Sequence, residues 1–418
     1  MKKNIQTTTL KNNLCINCGI CKVVCPFNAI KMQRNKYGEI NPVIDKKICK
    51  NCGICVKYCP NSTDNIKNLA KEICSTSEPQ AFGLQNANYY VAWSKDKGQR
   101  QKSCSGGITT ELAKYLFENH IIDGMIHVER LWGKKGDLHY GAKISYSLEE
   151  IQENVSSAYQ AIDFSDVLLK LEKGKTYFMT GTPCVIRGIK NLLGNKDFDS
   201  VKILTCALVC SHNTNAQFID FLTEINELCE KNKEWKVNIR YKDNSISDAN
   251  NFKNYIYTKD GTELLNKNRF DSGWTHIWRN YYFAMGACLK CPDFWGFEAD
   301  VSIKDAWGEW ANDPLGKSIV VIRNSELKQI FSKLNIEQEP LSYDVMKDHQ
   351  IATSNFKQVQ AYNKNFRSIF SKSNRRNELL KYTILSSCSK FLYKYFGYKI
   401  TKSLMNFVEV IANRSVKF

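Results

Sequence analysis

The sequence predicts an α+β chain in three parts: a small cysteine-dense module, a mixed α/β core and a helical C-terminal tail. Three observations carry this. Eight of the 17 cysteines fall in two matching runs within residues 1–68. Across residues 89–342 short apolar runs alternate with amphipathic stretches, the pattern of strands interleaved with helices. Over 343–418 strand signals fade and paired apolar residues recur at helical spacing.

A chain of 418 residues buries a core without disulfide staples, so 17 cysteines need another explanation. With 43% hydrophobic and 24% charged residues the composition is that of a folded protein, neither collagenous nor low-complexity. No run reaches the length of a membrane span, and nothing after Met1-Lys2-Lys3 resembles a signal peptide. A reducing cytoplasm is therefore expected, where clustered cysteines mean metal or catalysis. The net charge of +17 is uneven: +9 over residues 1–60, +11 over 351–418 and −3 between them. Two basic ends around a mildly acidic body suggest separate docking surfaces. No nucleic-acid motif accompanies them, and no nucleic-acid partner is expected.

In the first part, Cys15-x2-Cys18-x2-Cys21-x3-Cys25-Pro26 is followed by Cys49-x2-Cys52-x2-Cys55-x3-Cys59-Pro60. Zinc sites commonly use Cys-x2-Cys pairs or mix in histidine, and two four-cysteine runs ending in Cys-Pro do not fit them. The spacing resembles that of bacterial two-cluster ferredoxins over residues 1–68. The resemblance implies two 4Fe–4S clusters, one on Cys15, Cys18, Cys21 and Cys59, the other on Cys49, Cys52, Cys55 and Cys25. Lys36–Glu39 reads as a turn between two short strands. Residues 69–88, with Pro79 and Gly83, read as a linker.

In the core, Thr176–Thr180, Val201–Val209, Val237–Tyr241 and Asn254–Thr258 read as strands, the last two joined by a polar loop. Gly107–Glu118 has one apolar helix face. Ser103-Cys104-Ser105-Gly106-Gly107 precedes that helix, and small residues at a helix start suit phosphate. Thr180-Gly181-Thr182-Pro183-Cys184 follows a strand, where α/β proteins place ligands.

These loops occur in order with Tyr159-Gln160, Arg240-Tyr-Lys242, Cys288-x2-Cys291 and Asp305-x-Trp307-Gly308. That order resembles the beta-subunit family of coenzyme F-420 hydrogenases and dehydrogenases from about residue 89 to residue 310. The resemblance implies FAD held by Ser103, Ser105, Gly106, Gly107, Tyr159, Gln160, Thr180, Gly181, Thr182 and Pro183, with Arg240, Lys242 and Asp305 as further contacts. Around the shared cysteines the chain differs from the family at Val185, Ser211-His212, Met285-Gly286-Ala287 and Lys304. Ferredoxin is accordingly the expected donor over reduced F-420.

A third 4Fe–4S cluster is expected on Cys184, Cys210, Cys288 and Cys291, four cysteines with ligand spacing at the last pair; a structural zinc at that pair competes with it. Cys74, Cys104, Cys206, Cys229 and Cys388 read as small packing residues. His212 is the candidate catalytic proton donor, against the commoner role of a structural histidine.

The expected activity is an iron–sulfur flavoprotein oxidoreductase moving electrons from reduced ferredoxin, or reduced F-420, through the clusters and FAD to a bound substrate. The competing readings are a non-catalytic electron-transfer subunit of a larger hydrogenase or reductase, and a reductase of surface-polysaccharide synthesis. Lys11, Lys22, Lys31, Lys46, Lys47, Lys50 and Lys57 suit an acidic carrier or a partner redox subunit. In the tail, Leu379 to Ile411 interleave with Lys381, Lys390, Lys394, Lys399, Lys402 and Arg414, and Gly397 is expected to divide two helices. A basic amphipathic face suits an anionic membrane on its cytoplasmic side; packing on the core or on a second copy of the chain is the preferred reading.

Overall fold

The computed structural model describes residues 3–75, 86–228, 233–350 and 374–414. Half of the expected linker, residues 76–85, and Cys229 lie outside them; residues 69–75 instead end the helix Thr63–Ser75.

Each cysteine run turns on two left-handed residues. Asn17 and Asn51 have φ of 62° and 52°, and Gly19 and Gly53 have φ of 78° and 80°. Asparagine and glycine enter this region at little cost, so Cys-x-Asn-Cys-Gly curls its thiols inward. One-turn helices, Ile20–Val23 and Ile54–Lys57, follow. Strands β1 (Ile30–Arg34) and β2 (Ile40–Ile44) pair antiparallel around the expected turn, where the Asn35 carboxamide accepts from the backbone N–H groups of Tyr37 and Glu39.

The core carries β3 (Asn88–Ser94), β4 (Gly124–Arg130), β5 (Tyr140–Ser145), β6 (Thr176–Gly181), β7 (Lys202–Leu208), β8 (Trp235–Tyr241), β9 (Lys253–Thr258), β10 (Glu263–Asn268), β11 (Val301–Asp305), β12 (Ser318–Ile322) and β13 (Ile336–Pro340). Eight of them form one mixed sheet in the order β13-β3-β12-β11-β7-β6-β4-β5. β4, β6, β7 and β11 are mutually parallel. β3 runs the same way, because β12 is antiparallel to both β11 and β3. The carboxyl ends of these five strands therefore share one edge of the sheet, the place where open α/β sheets bind ligands. β8, β9 and β10 form a separate antiparallel sheet. A bulge between Ile239 and Tyr241 puts Arg240 at φ 68° and buries it; bulges commonly re-aim a side chain in this way.

The cysteine module is seated asymmetrically. Its first half presses into the core: Ile16, Ile20 and Val24 share one apolar cluster with Ile186 and Ile189. The fit leaves no room for a side chain at Gly188, whose Cβ would stand 2.3 Å from Ile20 Cδ1. Lys22 pairs with Asp166 of the core at 2.6 Å, so it leaves the outward basic face assigned to it. The second half is less enclosed: Cys52 is exposed and only Lys3 O lies near Gly53, at 3.9 Å, although Ile54 and Tyr58 still rest on the core.

The residues of the tail are helical from Asn374 to Arg414, but they do not lie along one axis. Ser386 Oγ donates to Ala284 O at 2.8 Å and Phe283 N donates to Ser389 Oγ at 3.0 Å. Glu409 reaches the same place, accepting from Tyr282 Oη and pairing with His276 at 2.9 Å. A straight helix would set Ser389 and Glu409 about 30 Å apart. The run therefore doubles back into two arms between these contacts, the stretch that contains Gly397.

The hydrogen bond to Glu409 holds the His276 imidazole above its ordinary range, against the opposing effect of burial. A raised folded value means the pair contributes fully below pH about 6.5 and is lost as pH rises through that value. With His276 half exposed, screening limits the term to about 0.5 kcal/mol. Protection factors of the amides around Glu409, which remove the base catalysis of intrinsic exchange, are expected to be lower at pH 9 than at pH 6, and His276→Gln should remove that difference.

Candidate redox site

Four thiols, Cys15, Cys18, Cys21 and Cys59, lie within electrostatic reach of one another. Burial pushes Cys15 up to about 12 and Cys18 and Cys21 well above the ordinary thiol value, and neighbouring thiols add to each shift. Such a set stays protonated until a cation displaces the protons, as iron does. The second set is Cys25, Cys49, Cys52 and Cys55. Burial lifts Cys55 to about 11, with Cys52, Cys25 and Cys49 as charge neighbours. All four line one pocket with Pro26, Phe27 and Ile44. The two groups have the members that the ferredoxin resemblance implies. Backbone N–H groups of Ala29 and Asn51 point at Cys25 and Cys49 sulfur at 3.3 and 3.4 Å, the kind of bond that tunes cluster potential.

A third set stands at the sheet edge. Cys184 opens the helix Pro183–Leu193 just beyond β6, Cys210 follows β7, and Cys288 and Cys291 flank a 3₁₀ turn. Cys210 feels Cys288, Cys184 and Cys291, and burial raises all four thiols, Cys288 to about 12. Cys18 of the inner set is in electrostatic reach of Cys184. The three sets thus form a row: an exposed outer set, an inner set against the core, and the edge set.

Arg187 sits where the inner and edge sets meet. It is buried, donates from Nη2 to Asn61 Oδ1 at 2.7 Å and pairs with buried Asp293 at 3.8 Å. Its charge favours the thiolates of Cys59, Cys184 and Cys291. Its Nε and Nη1 have no hydrogen-bond acceptor among the described residues. Sequence reasoning missed this residue, although its place one helical turn beyond Cys184 was a signal.

The Ser103–Gly107 loop lies at the end of β3, four strand spacings, roughly 19 Å, along the edge from the Thr180–Pro183 turn. Three of the expected contacts meet at this loop. Arg240 forms a two-pronged pair with Asp305 and donates from Nη2 to Cys104 O at 3.1 Å. Lys242 is buried against carbonyls only, those of Arg100, Ser105 and Leu315, and burial lowers it to about 7. Tyr159 lies within electrostatic reach of Arg240 and packs edge-on against Trp274 and Trp278. Gln160 is 2% exposed, and neither amide atom has a partner among the described residues. The Tyr140 hydroxyl, likewise buried and unpartnered, is near Cys104 and Tyr159.

Four expectations change. The two glycines serve packing: a Cβ at Gly106 would stand 2.5 Å from Ala92 O, and Gly107 holds φ 82° to start the helix. The Ser103 and Ser105 hydroxyls are spent on Gln99 O and Lys317 O, so the loop offers a ligand its backbone rather than these side chains. Cys104 is half buried rather than packed away, and its sulfur accepts from Ser157 N at 3.0 Å. His212 has the setting of a structural histidine: burial lowers its imidazole to about 3, and the ring is stacked between Trp278 and Tyr281. Cys206 packs within its strand as expected.

Residues 14–63 match a 4Fe-4S dicluster domain. The uncharacterized protein MJ1349 of Methanocaldococcus jannaschii is 24% identical over 351 residues, covering 77% of this chain and 87% of that protein. A chain of the F420-reducing [NiFe] hydrogenase complex from Methanosarcina barkeri is similar at 20% identity, with a TM-score of 0.45, over 65% of this chain and 89% of that one. Residues 89–169 match the N-terminal model, and residues 174–343 the C-terminal model, of one beta subunit. These two stretches take in most of the chain, which is an iron–sulfur protein belonging to the coenzyme F420 hydrogenase/dehydrogenase beta-subunit family.

Proposed function

We propose that the protein is an iron–sulfur flavoprotein oxidoreductase of the cytoplasm, linking 4Fe–4S clusters to FAD and an external one-electron donor to a bound substrate. The observation that carries this is the double membership of Cys184. It opens the helix at the Thr180–Pro183 turn and belongs to the converging edge set, next to Cys18 of the inner set.

The residues fit a flavin. Gln160 buries a donor and an acceptor without partners, which costs free energy until a ligand edge satisfies both. FAD, when bound, supplies a group that takes up electrons singly or in pairs. Gln160 would donate to and accept from its polar edge. Lys242, beside the loop backbone, would balance negative charge, and Asp305 keeps Arg240 oriented. Cys184, Cys210, Cys288 and Cys291 would hold a third cluster.

The donor side is the outer set. Phe27, Val43 and Ile48 are exposed there, and Lys31, Lys46, Lys47 and Lys50 surround them without ion pairs among the described residues. That face suits an acidic carrier such as ferredoxin. It equally suits a partner redox subunit, the feature favouring the second reading, a non-catalytic electron-transfer subunit. Reduced F-420 as donor and a surface-polysaccharide substrate are variants of the first reading, and peripheral contact with the membrane through the tail accompanies either.

The test is flavin binding by the anaerobically reconstituted chain. One FAD per chain is expected. Gln160→Leu should weaken binding about ten- to hundredfold while leaving the apo protein as stable or slightly more so, because it removes unpaired polar atoms. Wild-type protein that carries its clusters and binds no FAD overturns the reading. Turnover by the isolated chain supports the enzyme; a stoichiometric subunit needed for any turnover supports the second reading.

A further inference from the structure

The two arms of the tail bury one apolar stripe and expose another. In the second arm Thr401, Met405 and Ala412 are buried, and Met405 and Ala412 join the main apolar cluster. One residue earlier each time, about 100° round the helix, Ile400, Leu404 and Ile411 are exposed, and Phe407 between them is 64% exposed. The first arm repeats this. Leu385, Ser386 and Ser389 face inward, and Phe391, Tyr395 and Phe396 are each about half exposed. Packing on the core thus accounts for one face only. Between the arms runs an open apolar groove lined by Ser387, Cys388, Phe391, Leu392, Leu404, Phe407 and Val408.

We propose that this outer face docks on an anionic lipid bilayer, with Phe391, Phe396, Leu404 and Phe407 entering the acyl boundary. Charge selects the lipid. Residues 374–418 carry nine basic and two acidic side chains. One of each sign is turned inward, Glu409 onto Tyr282 and His276 and Lys390 onto Glu39 at 2.9 Å, so the excess of base is unchanged. A second copy of the chain would bring an equally basic face against this one. A peptide would find few hydrogen-bond partners in the groove, whereas an acyl chain needs none. Lysine beside exposed aromatic and aliphatic side chains is the composition of helices that lie in the bilayer interface. Among the described residues no helix is long and apolar enough to cross a membrane, so the contact is peripheral. The face lies beyond residue 343, outside the family match.

The experiment is flotation of the full reconstituted chain with vesicles of phosphatidylcholine alone or mixed with phosphatidylglycerol. Wild type is expected to float with the mixed vesicles, about tenfold less with the neutral ones, and less at high salt. Phe396→Ser/Phe407→Ser should cut flotation about tenfold or more with iron content and elution volume unchanged. Lys394→Glu, at an exposed site, should weaken binding to the anionic vesicles alone. No flotation of wild type, or equal flotation of the double variant, overturns the proposal. So does a double variant that turns a dimer into a monomer, since a second copy then covers the face. FAD binding measured on the same samples separates this outcome from failure of the flavin reading, on which the docking does not depend.

Discussion

Exchanging Cys288 and Cys291 together for serine is expected to lower the iron of anaerobically reconstituted protein from about twelve atoms per chain to about eight. The expectation rests on the grouping of these two thiols with Cys184 and Cys210, all raised by burial, and Cys210, Cys288 and Cys291 also by neighbouring thiols. Four thiols that burial holds protonated form a poor site until iron arrives to take their protons. Among the described residues no set of His, Cys, Asp and Glu side chains converges tightly enough for a single ion; a cubane spreads its ligands wider than one metal does. The outer and inner sets should be untouched, because their eight cysteines lie in residues 15–59. Iron and acid-labile sulfide analysis decides the matter. Wild type at about eight irons, or zinc at the edge set, removes the third cluster and leaves the proposed flavin site without a cluster beside it.

Arg187→Met is the second large effect. The pair it breaks is buried on both sides, and removing one partner of such a pair costs about 3–5 kcal/mol because the other charge stays buried. Asp293 would keep only its bonds from Gly296 N at 2.8 Å and Phe297 N at 3.3 Å. The Asn61 contact that ties the cysteine module to the core would also go. Denaturant unfolding should show the loss. A redox titration should show lower potentials for the clusters nearest Cys59 and Cys184, since removing a positive charge disfavours the more negative, reduced form. Arg187→Lys should recover part of both. Unchanged stability with unchanged potentials would make Arg187 a bystander.

The sequence by itself determined what spacing and local chemistry determine. Cys-x2-Cys-x2-Cys-x3-Cys-Pro, with Asn and Gly at the left-handed positions, sets the cluster loops whatever surrounds them. Apolar runs located β6 and β7 to within a residue or two, because a buried strand is readable from its own side chains. Other features became visible only once the chain had folded. That Cys18 reaches Cys184, and that Arg187 serves both sets, follows from the cysteine module seating one half against the helix Pro183–Leu193. Gly106 and Gly107 read locally as a phosphate cradle, yet strands β3 and β12 claim the space beside Gly106. His212 read as an acid, and Trp278 and Tyr281, some seventy residues away, make it a neutral stacked ring. The tail read as one amphipathic face; its two arms have an inner and an outer apolar stripe, and only their meeting at Tyr282–Ala284 decides which is buried. The physical reason is common to all of these. Burial and charge partners come from residues distant in sequence, and desolvation, which sets both pKa and packing, depends on them.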